Sequence, residues 1–153
     1  MLTRRLIPSM LLSSGRLVKG TCFRDYRDAG SPNTTARVHN AQGADELVLL
    51  DIDAARIGRG PDVQTIRTVA AECFMPLTVG GGIRTVEDVR TLLRAGADKI
   101  TVNTAALADP RVISESAGEF GNQCIVVSID HATSEDGRQQ VMADRGKRPT
   151  GTD

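Results

Sequence analysis

Two consecutive strand-to-helix units lie between residues 77 and 106, which read LTVGGGIRTVEDVRTLLRAGADKITVNTAA. The first predicted strand, residues 77–79, ends in three glycines, and the second, residues 99–102, ends in Asn103 and Thr104. The segment between them begins with a capping-box pattern and carries apolar residues at helical spacing before a terminal glycine. Strands that alternate with helices are typical of an α/β protein with a parallel sheet. This stretch therefore limits the chain to that fold class.

The two polar strand endings fall where α/β proteins bind their ligands. Gly80, Gly81 and Gly82 let the backbone come close to a ligand with its N–H groups exposed, and Asn103 and Thr104 add two polar side chains. Both endings belong to the carboxyl ends of neighbouring parallel strands. A bound phosphate is the leading interpretation of this pattern. The alternative is a tight turn that needs glycine for backbone reasons alone.

Composition excludes several other classes of protein. A chain of 153 residues with 40% hydrophobic content has the size of one domain, which we take to span residues 1–153. The formal net charge of zero argues against nucleic acid or an anionic membrane surface as a partner, and no segment predicts a membrane span. The three cysteines are odd in number and lack metal-type spacing, which favours reduced thiols in the cytoplasm.

Carboxylates follow two further predicted strands. Strands are predicted at residues 6–12, 46–50 and 124–129, with helices between them, and a short hairpin is predicted near residues 136–142. Asp51 and Asp53 end the second strand, where they can act as acid, base or hydroxyl acceptor, or simply as a cap or turn. Asp130 ends the fifth strand and is a catalytic candidate, because acids at this end of barrel strands are often catalytic.

A long polar stretch, residues 21–30, follows the first strand and a short apolar segment. It is longer than a connection requires, and together with Lys19 just before it, it carries Arg24 and Arg27 beside Phe23 and Tyr26. A loop of this length after a strand is typical of an active-site lid. The alternative interpretation is a mobile, solvated loop.

An internal repeat relates the second and fourth strands. Residues 43–47 read GADEL and residues 96–100 read GADKI, 53 positions later. In both copies a glycine ends a helix and a charged residue, Glu46 or Lys99, opens the strand, and Arg5 stands similarly before the first strand. Opposite charges at the amino ends of strands can close the floor of a barrel as an ion-pair plug. Scattered surface charges are the alternative.

With these residues in place, the sequence resembles a known family, the cyclase subunit of imidazole glycerol phosphate synthase. That family is an eight-stranded βα barrel of histidine biosynthesis. The resemblance runs from Arg4 to about Gly151 and is carried by GRLVKG (15–20), GADELVLLDIDA (43–54), PLTVGGGI (76–83), AGADKITVNTAA (95–106), FGNQCIVVSID (120–130) and GKRPTG (146–151). It implies a (β/α)8 TIM-barrel fold, of which this chain holds about four βα units and a fifth strand.

Carried over residue by residue, the resemblance implies a substrate site. Lys19 would lie on a flexible loop over this site, and Asp130 would be one of the family's two acid/base aspartates. No cofactor and no metal ion is implied. Four residues would hold one phosphate of a two-phosphate nucleotide substrate: Gly81, Gly82, Asn103 and Thr104.

The resemblance also implies a gate and a protein partner. Arg5, Glu46 and Lys99 match three of the four charged residues that form the family's gate at the barrel floor. Ammonia would enter there from a glutaminase subunit that docks near Asp45 and Asp98 to form a heterodimer. A closed conduit keeps ammonia from protonating in water and losing its nucleophilicity.

The sequence departs from the family pattern in two respects. Leu11 replaces the other acid/base aspartate, and the loss of one such group typically removes about 10²- to 10⁴-fold in rate. A first strand ending in Leu11 and Leu12 resembles cyclase-like paralogues of surface-polysaccharide gene clusters, which are thought to pass ammonia to a sugar-amidating enzyme. The chain also ends just after the fifth strand, whereas such a barrel needs about 250 residues.

Three functions follow from the resemblance as alternatives. The first is a cyclase that uses ammonia to convert a phosphorylated ribulosyl aminoimidazole carboxamide nucleotide into imidazole glycerol phosphate, releasing an aminoimidazole carboxamide ribotide. The second is a cyclase-deficient paralogue that channels ammonia for sugar amidation. The third is an inactive fragment that binds phosphate or docks a glutaminase.

Overall fold

The fold is described by a computed structural model that covers residues 4–21, 24–134, 136–143 and 146–152. Within these ranges the strands are β1 (Ser9–Ser13), β2 (Arg16–Thr21), β3 (Arg24–Gly30), β4 (Leu47–Asp51), β5 (Leu77–Gly80), β6 (Lys99–Val102), β7 (Ile125–Val127), β8 (Asp130–Thr133), β9 (Gln139–Ala143) and β10 (Arg148–Pro149). The α-helices are α1 (Pro32–Ala41), α2 (Val63–Ala70), α3 (Val86–Arg94), α4 (Thr104–Ala108) and α5 (Arg111–Phe120).

The larger of two sheets has the strand order β3-β2-β1-β4-β5-β6-β7. Its last five strands are parallel, and each new strand along the chain is added on the same side of the one before. A doubly wound sheet reverses this order at a switch point, whereas a βα barrel keeps it. The chain therefore has the α/β architecture of an incomplete (β/α)8 barrel, as the sequence predicts. In the part of the chain described, the sheet is open, with β3 and β7 at its edges.

The helices pack on one face of the parallel strands. Successive side chains of a strand point to opposite faces, so every second residue meets the helices. These residues share one apolar cluster with Ile66 and Val69 of α2 and with Val89 and Leu92 of α3. Full burial stabilises such a side chain by about 1.5–3 kcal/mol, so this layer is the main source of stability. The members of the cluster on the parallel strands are Met10, Leu12, Leu47, Leu49, Leu77, Val79, Ile100 and Val102.

The opposite face of the sheet is less buried and carries the polar residues. Strand pairing aligns one row of residues across all five parallel strands on this face, which we call the open face. The two leucines that pair with each other across β1 and β4 are half-buried, and the valine of the edge strand β7 is exposed. The row consists of Leu11, Leu50, Gly80, Thr101 and Val126.

Local sequence signals explain where the helices begin. The Thr85 hydroxyl accepts a hydrogen bond from the Asp88 backbone N–H at 3.1 Å, and the Asp88 carboxylate accepts one from the Thr85 N–H at 3.0 Å. This capping box starts α3, as predicted. Asp62 caps α2, and α1 begins with Pro32 in its first turn. None of the helices in the described ranges is long and apolar enough to cross a membrane.

Two sequence predictions differ from the structure. Thr21 and residues 24–30 of the predicted loop instead belong to β2 and β3, which pair as antiparallel strands and are joined by an ion pair of 2.9 Å between Arg16 and Asp28. Phe23, part of the predicted lid, lies outside the described residues. The fifth parallel strand ends at Val127, and Asp130 instead begins β8 of a three-stranded sheet with the order β10-β9-β8. The hairpin predicted near residues 136–142 is confirmed by the antiparallel pairing of β8 with β9.

Candidate functional site

A cavity of about 510 Å³ lies over the carboxyl ends of the parallel strands, on the open face. Its floor is the row that contains Leu11, Leu50, Gly80 and Thr101, and its rim is built from the segments that follow β4, β5, β6 and β7. Segments after parallel strands converge at one edge of a sheet, which explains why distant parts of the sequence meet here. Further residues that line the cavity are Tyr26, Asp51, Gly81, Gly82, Asn103, Thr104, Ser128, Asp130 and Lys147.

Asn103 and Asp130 meet at the rim, as the sequence predicts. The Asn103 side-chain amide donates a hydrogen bond to the Asp130 carboxylate, with 3.3 Å between Nδ2 and Oδ2. Asn103 immediately precedes α4 but does not cap it through its side chain, which leaves the amide for this contact. Thr104 follows at the start of α4 and is exposed. The cavity thus holds an amide, a hydroxyl and a carboxylate on neighbouring segments.

The glycines after β5 are held in close contact with the β4–α2 segment. Gly81 has φ +107°, and a Cβ atom there would clash with the backbone carbonyl of Asp51. A Cβ atom on Gly82, with φ +72°, would lie 2.8 Å from the Ala54 Cβ and from the Arg59 carbonyl oxygen. This packing alone accounts for glycine at both positions. It supports the backbone interpretation of the glycine run, while the same residues also line the cavity.

Asp51 has a structural role in the segment after β4. One carboxylate oxygen accepts hydrogen bonds from the N–H groups of Asp53 and Ala54, at 3.1 and 3.0 Å. The other oxygen is paired with Arg59, and this hydrogen bond raises the pKa of the Arg59 guanidinium above its ordinary value. Asp53 accepts a hydrogen bond from the Ser13 hydroxyl and pairs with Arg56 at 3.3 Å. The structure therefore favours the cap and turn interpretation of these two carboxylates.

Leu11 lies on the cavity floor, one β-sheet row below the rim. Its side chain is half-buried and apolar, so it cannot exchange a proton. Asp130, at the start of β8, lines the same cavity. Leu11 and Asp130 therefore face one space, and the acid/base roles that the resemblance implies for these two positions stay predictions.

Lys19 does not line the cavity in the structure. It is exposed on β2, opposite Arg27 of β3, so its predicted role over the site stays a prediction. Tyr26 of the same hairpin does line the cavity, and its ring packs against Gly20, where a Cβ atom would approach it to 2.7 Å. Tyr26 was noted in the sequence only as part of a lid. Lys147 was missed as a site residue, although it lies in the GKRPTG segment (146–151) that carries part of the resemblance.

The predicted ion-pair plug forms at the other end of the sheet. Glu46, directly before β4, is buried and pairs with both Arg5 and Lys99. The Lys99 Nζ lies 2.8 Å from a Glu46 carboxylate oxygen, although β5 separates their two strands. Glu46 and Lys99 are the two members of the internal repeat. This contact favours the plug over scattered surface charges, and it places the plug at the end of the sheet opposite the cavity.

Asp45 and Asp98 lie beside the plug and are exposed. Each carboxylate accepts a hydrogen bond from a backbone N–H. The donor to Asp45 is Leu6, just before β1, at 2.6 Å, and the donor to Asp98 is Leu77, the first residue of β5, at 2.8 Å. These contacts fix the ends of adjacent strands relative to each other. Their predicted role in docking a glutaminase stays a prediction.

A comparison with protein families agrees with this arrangement. A family model described as histidine biosynthesis protein matches residues 5–153. The match includes the plug, which begins at Arg5, and the cavity residues up to Lys147. Proteins of this family are (β/α)8 barrels, in agreement with the strand order.

Proposed function

The chain belongs to the histidine biosynthesis protein family, and from that premise we propose that it is a cyclase-type member related to imidazole glycerol phosphate synthase. It binds a phosphorylated nucleotide in the cavity and uses ammonia from a glutaminase partner to form imidazole glycerol phosphate. Thr78 and the NTAA segment that starts at Asn103 support the cyclase type, because they resemble the cyclase subunit, whereas the sister isomerase of the pathway shares the three glycines.

One observation carries the proposal. Asn103 and Asp130 are in contact at 3.3 Å within a cavity that Gly81, Gly82 and Thr104 also line. Amide, hydroxyl and backbone N–H groups suit a phosphate, and a carboxylate beside them suits proton transfer. A phosphate fixed at the rim would hold the reacting part of the nucleotide against Asp130. Such positioning is a large part of catalysis in reactions that join two molecules.

In this mechanism Asp130 transfers protons as ammonia attacks the nucleotide, the imidazole ring closes and the aminoimidazole carboxamide ribotide leaves. Attack by a neutral amine leaves a positively charged nitrogen that must lose a proton, and a carboxylate can accept it. The Asn103 amide donates to one oxygen of Asp130 and so fixes the direction of the other. The Asp130 carboxylate comes from the segment after β7. Position 11 is a leucine and supplies no second carboxylate.

The plug gives the proposed ammonia a point of entry. Glu46 joins Arg5 and Lys99 at the amino ends of the strands, while the cavity lies at the carboxyl ends of the same sheet face. A small neutral molecule could pass between these ends only where the charged side chains separate. A glutaminase that docks near Asp45 and Asp98 would sit directly below this point.

The proposal is tested by mixing the 153-residue chain with the nucleotide and an ammonium salt and measuring imidazole glycerol phosphate. We expect product above the uncatalysed level, and we expect Asp130→Asn to lower the rate by about 10²- to 10⁴-fold. Asp109→Asn is the matched control, because Asp109 is an exposed carboxylate paired with Arg111 outside the cavity. Equal rates for the two variants would contradict a role for Asp130.

Leu11 favours a second candidate, in which the chain handles ammonia without closing the ring. Leu11 and Asp130 face one cavity, yet only one of them can carry a proton. Under this alternative, ring closure is undetectable in the parent chain and appears after Leu11→Asp. Stimulation of a glutaminase subunit is then the same before and after the substitution. High activity of the parent chain, unimproved by Leu11→Asp, would exclude it.

A further inference from the structure

An anion bound to Asn103 would lie next to a carboxylate. The Asn103 amide nitrogen is 3.3 Å from an oxygen of Asp130, so a phosphate that accepts a hydrogen bond from Asn103 comes within a few ångströms of that negative charge. Like charges at this separation repel each other, and the repulsion is strongest where water is partly excluded. A phosphate site at this rim therefore needs a positive group close by.

Two basic side chains line the cavity in the described part of the chain, Arg56 and Lys147. Arg56 already pairs with Asp53 at 3.3 Å. Arg59, which lies nearby, is paired with Asp51. Over the ranges that the structure describes, no carboxylate lies within ion-pair distance of the Lys147 ammonium. Lys147 is therefore the cation that can respond to a charged ligand without first breaking an ion pair.

The smaller sheet explains why Lys147 reaches the cavity. Asp130 of β8 and Pro149 of β10 both pair with Met142 of β9, so Asp130 and Pro149 stand in one row. Lys147 lies two residues before Pro149, at the end of this sheet where the chain arrives from β7. Its backbone N–H donates to the carbonyl of Ala143, the last residue of β9, at 3.1 Å. The pairing of three strands thus fixes Lys147 near the Asp130 end of the cavity.

We propose that Lys147 is the cationic partner of the substrate's phosphate monoester, in place of Lys19. The inference rests on the proposed function, because it assumes that the anion binds at Asn103 and Thr104. Lys147 offsets the charge of Asp130 and lets a dianion and a proton-transfer carboxylate share one cavity. It is a positioning residue for the phosphate and takes no part in proton transfer. Lys19 is exposed on β2 and does not line the cavity.

Inorganic phosphate is the probe that tests this role, with the dissociation constant measured from backbone amide shifts of the 153-residue chain in NMR titrations. We expect Lys147→Gln to weaken phosphate binding about three- to tenfold, the range for one charge-assisted contact near the surface. Lys147→Arg should restore most of the affinity. The difference between Lys147→Gln and the parent should shrink at high salt, because salt screens an exposed charge. Arg94→Gln, at the exposed end of α3, removes the same charge and should leave binding unchanged.

Asn103→Ala separates this inference from the proposed function. If Asn103→Ala weakens phosphate binding and Lys147→Gln does not, the phosphate site stands and the role of Lys147 is overturned. A loss with Lys19→Gln but not with Lys147→Gln would assign the cation to Lys19 and also overturn it. The absence of saturable phosphate binding by the parent chain would overturn both. The amide spectrum of each variant shows at the same time whether it is folded.

Discussion

Gly81 is the residue at which β5 turns towards the cavity, and two constraints act on it. Its φ of +107° is a conformation that other residues rarely adopt, and its Cα faces the carbonyl of Asp51 with no room for a side chain. Gly43, which ends the first helical segment, shares the positive φ, at +73°, but has no heavy atom within 4 Å of a Cβ position. Substitutions at the two glycines therefore separate the effect of backbone conformation on stability from the effect of packing.

We expect Gly81→Ala to lower the free energy of unfolding by about 2–5 kcal/mol, as the sum of left-handed backbone strain and overpacking. Gly43→Ala should cost only the backbone part, about 1–2 kcal/mol. Urea unfolding followed by circular dichroism measures both. Equal losses in the two variants would mean that the chain relaxes around position 81 and that the contact with Asp51 is unimportant.

At the level of single residues, the sequence predicts which groups meet but not why each is required. Asn103 and Asp130 come together as predicted, because each follows a parallel strand of the same sheet. The packing of Gly81 against Asp51 depends on how two neighbouring segments fit, which no local pattern reveals. Lys147 was missed because its position depends on the pairing of β9 with β10, a strand of only two residues that no pattern in the sequence reveals.

The plug is a property of three strand elements taken together. Glu46 lies directly before β4 and Lys99 opens β6, and their side chains meet across β5. The Glu46 side chain is only 10% exposed, whereas that of Asp109, in its pair with Arg111, is 47% exposed. Ion pairs that are shielded from water lose more when one partner is removed, because the other charge stays partly buried.

We expect Glu46→Gln to destabilise the chain by about 1–3 kcal/mol, less than the 3–5 kcal/mol of a fully buried pair, because Arg5 keeps contact with water. Asp109→Asn, the same chemical change in an exposed pair, should have little effect. Thermal or urea unfolding of the two variants gives the comparison. A loss in Glu46→Gln no larger than in Asp109→Asn would show that the plug contributes nothing to stability.

The elements themselves were largely predictable, with one exception that has a physical cause. The parallel strands are short apolar runs between glycines and helix caps, and α3 carries both a capping box and a sheet-facing stripe. The hairpin of β2 and β3 was taken for a loop because most residues of β3 are exposed and more than half of them are charged. Its strands are held by backbone pairing and by Arg16 with Asp28, and neither leaves an alternating apolar pattern.

At the scale of the whole molecule, the sheet is open over the described residues, and its edge strand β7 carries exposed apolar side chains. Val126 and Val127 of β7 and Ile129 just after it are 39–56% exposed, and in the described part of the chain β7 pairs only with β6. Unpaired strand edges with apolar side chains are templates for association. The exposed apolar edge is a property of the sheet as a whole, because only a strand at the edge of a sheet leaves one side unpaired.

We expect the 153-residue chain to associate as its concentration rises, and we expect Val126→Lys to weaken that association by placing a charge on the edge. Sedimentation velocity over a range of concentrations measures the effect. Val38→Lys adds the same charge at an exposed position of α1 and serves as the control. A chain that stays monomeric throughout, or two variants that behave alike, would show that the edge is not the site of contact.

The division of the sheet into a helix-covered face and an open face has a consequence for how such proteins diverge. Leu11 and Leu12 are consecutive, yet only Leu12 belongs to the packed layer with the helices. An exchange at position 11 therefore leaves the packed layer untouched, so the open face can vary in sequence while the helix-covered face keeps the fold.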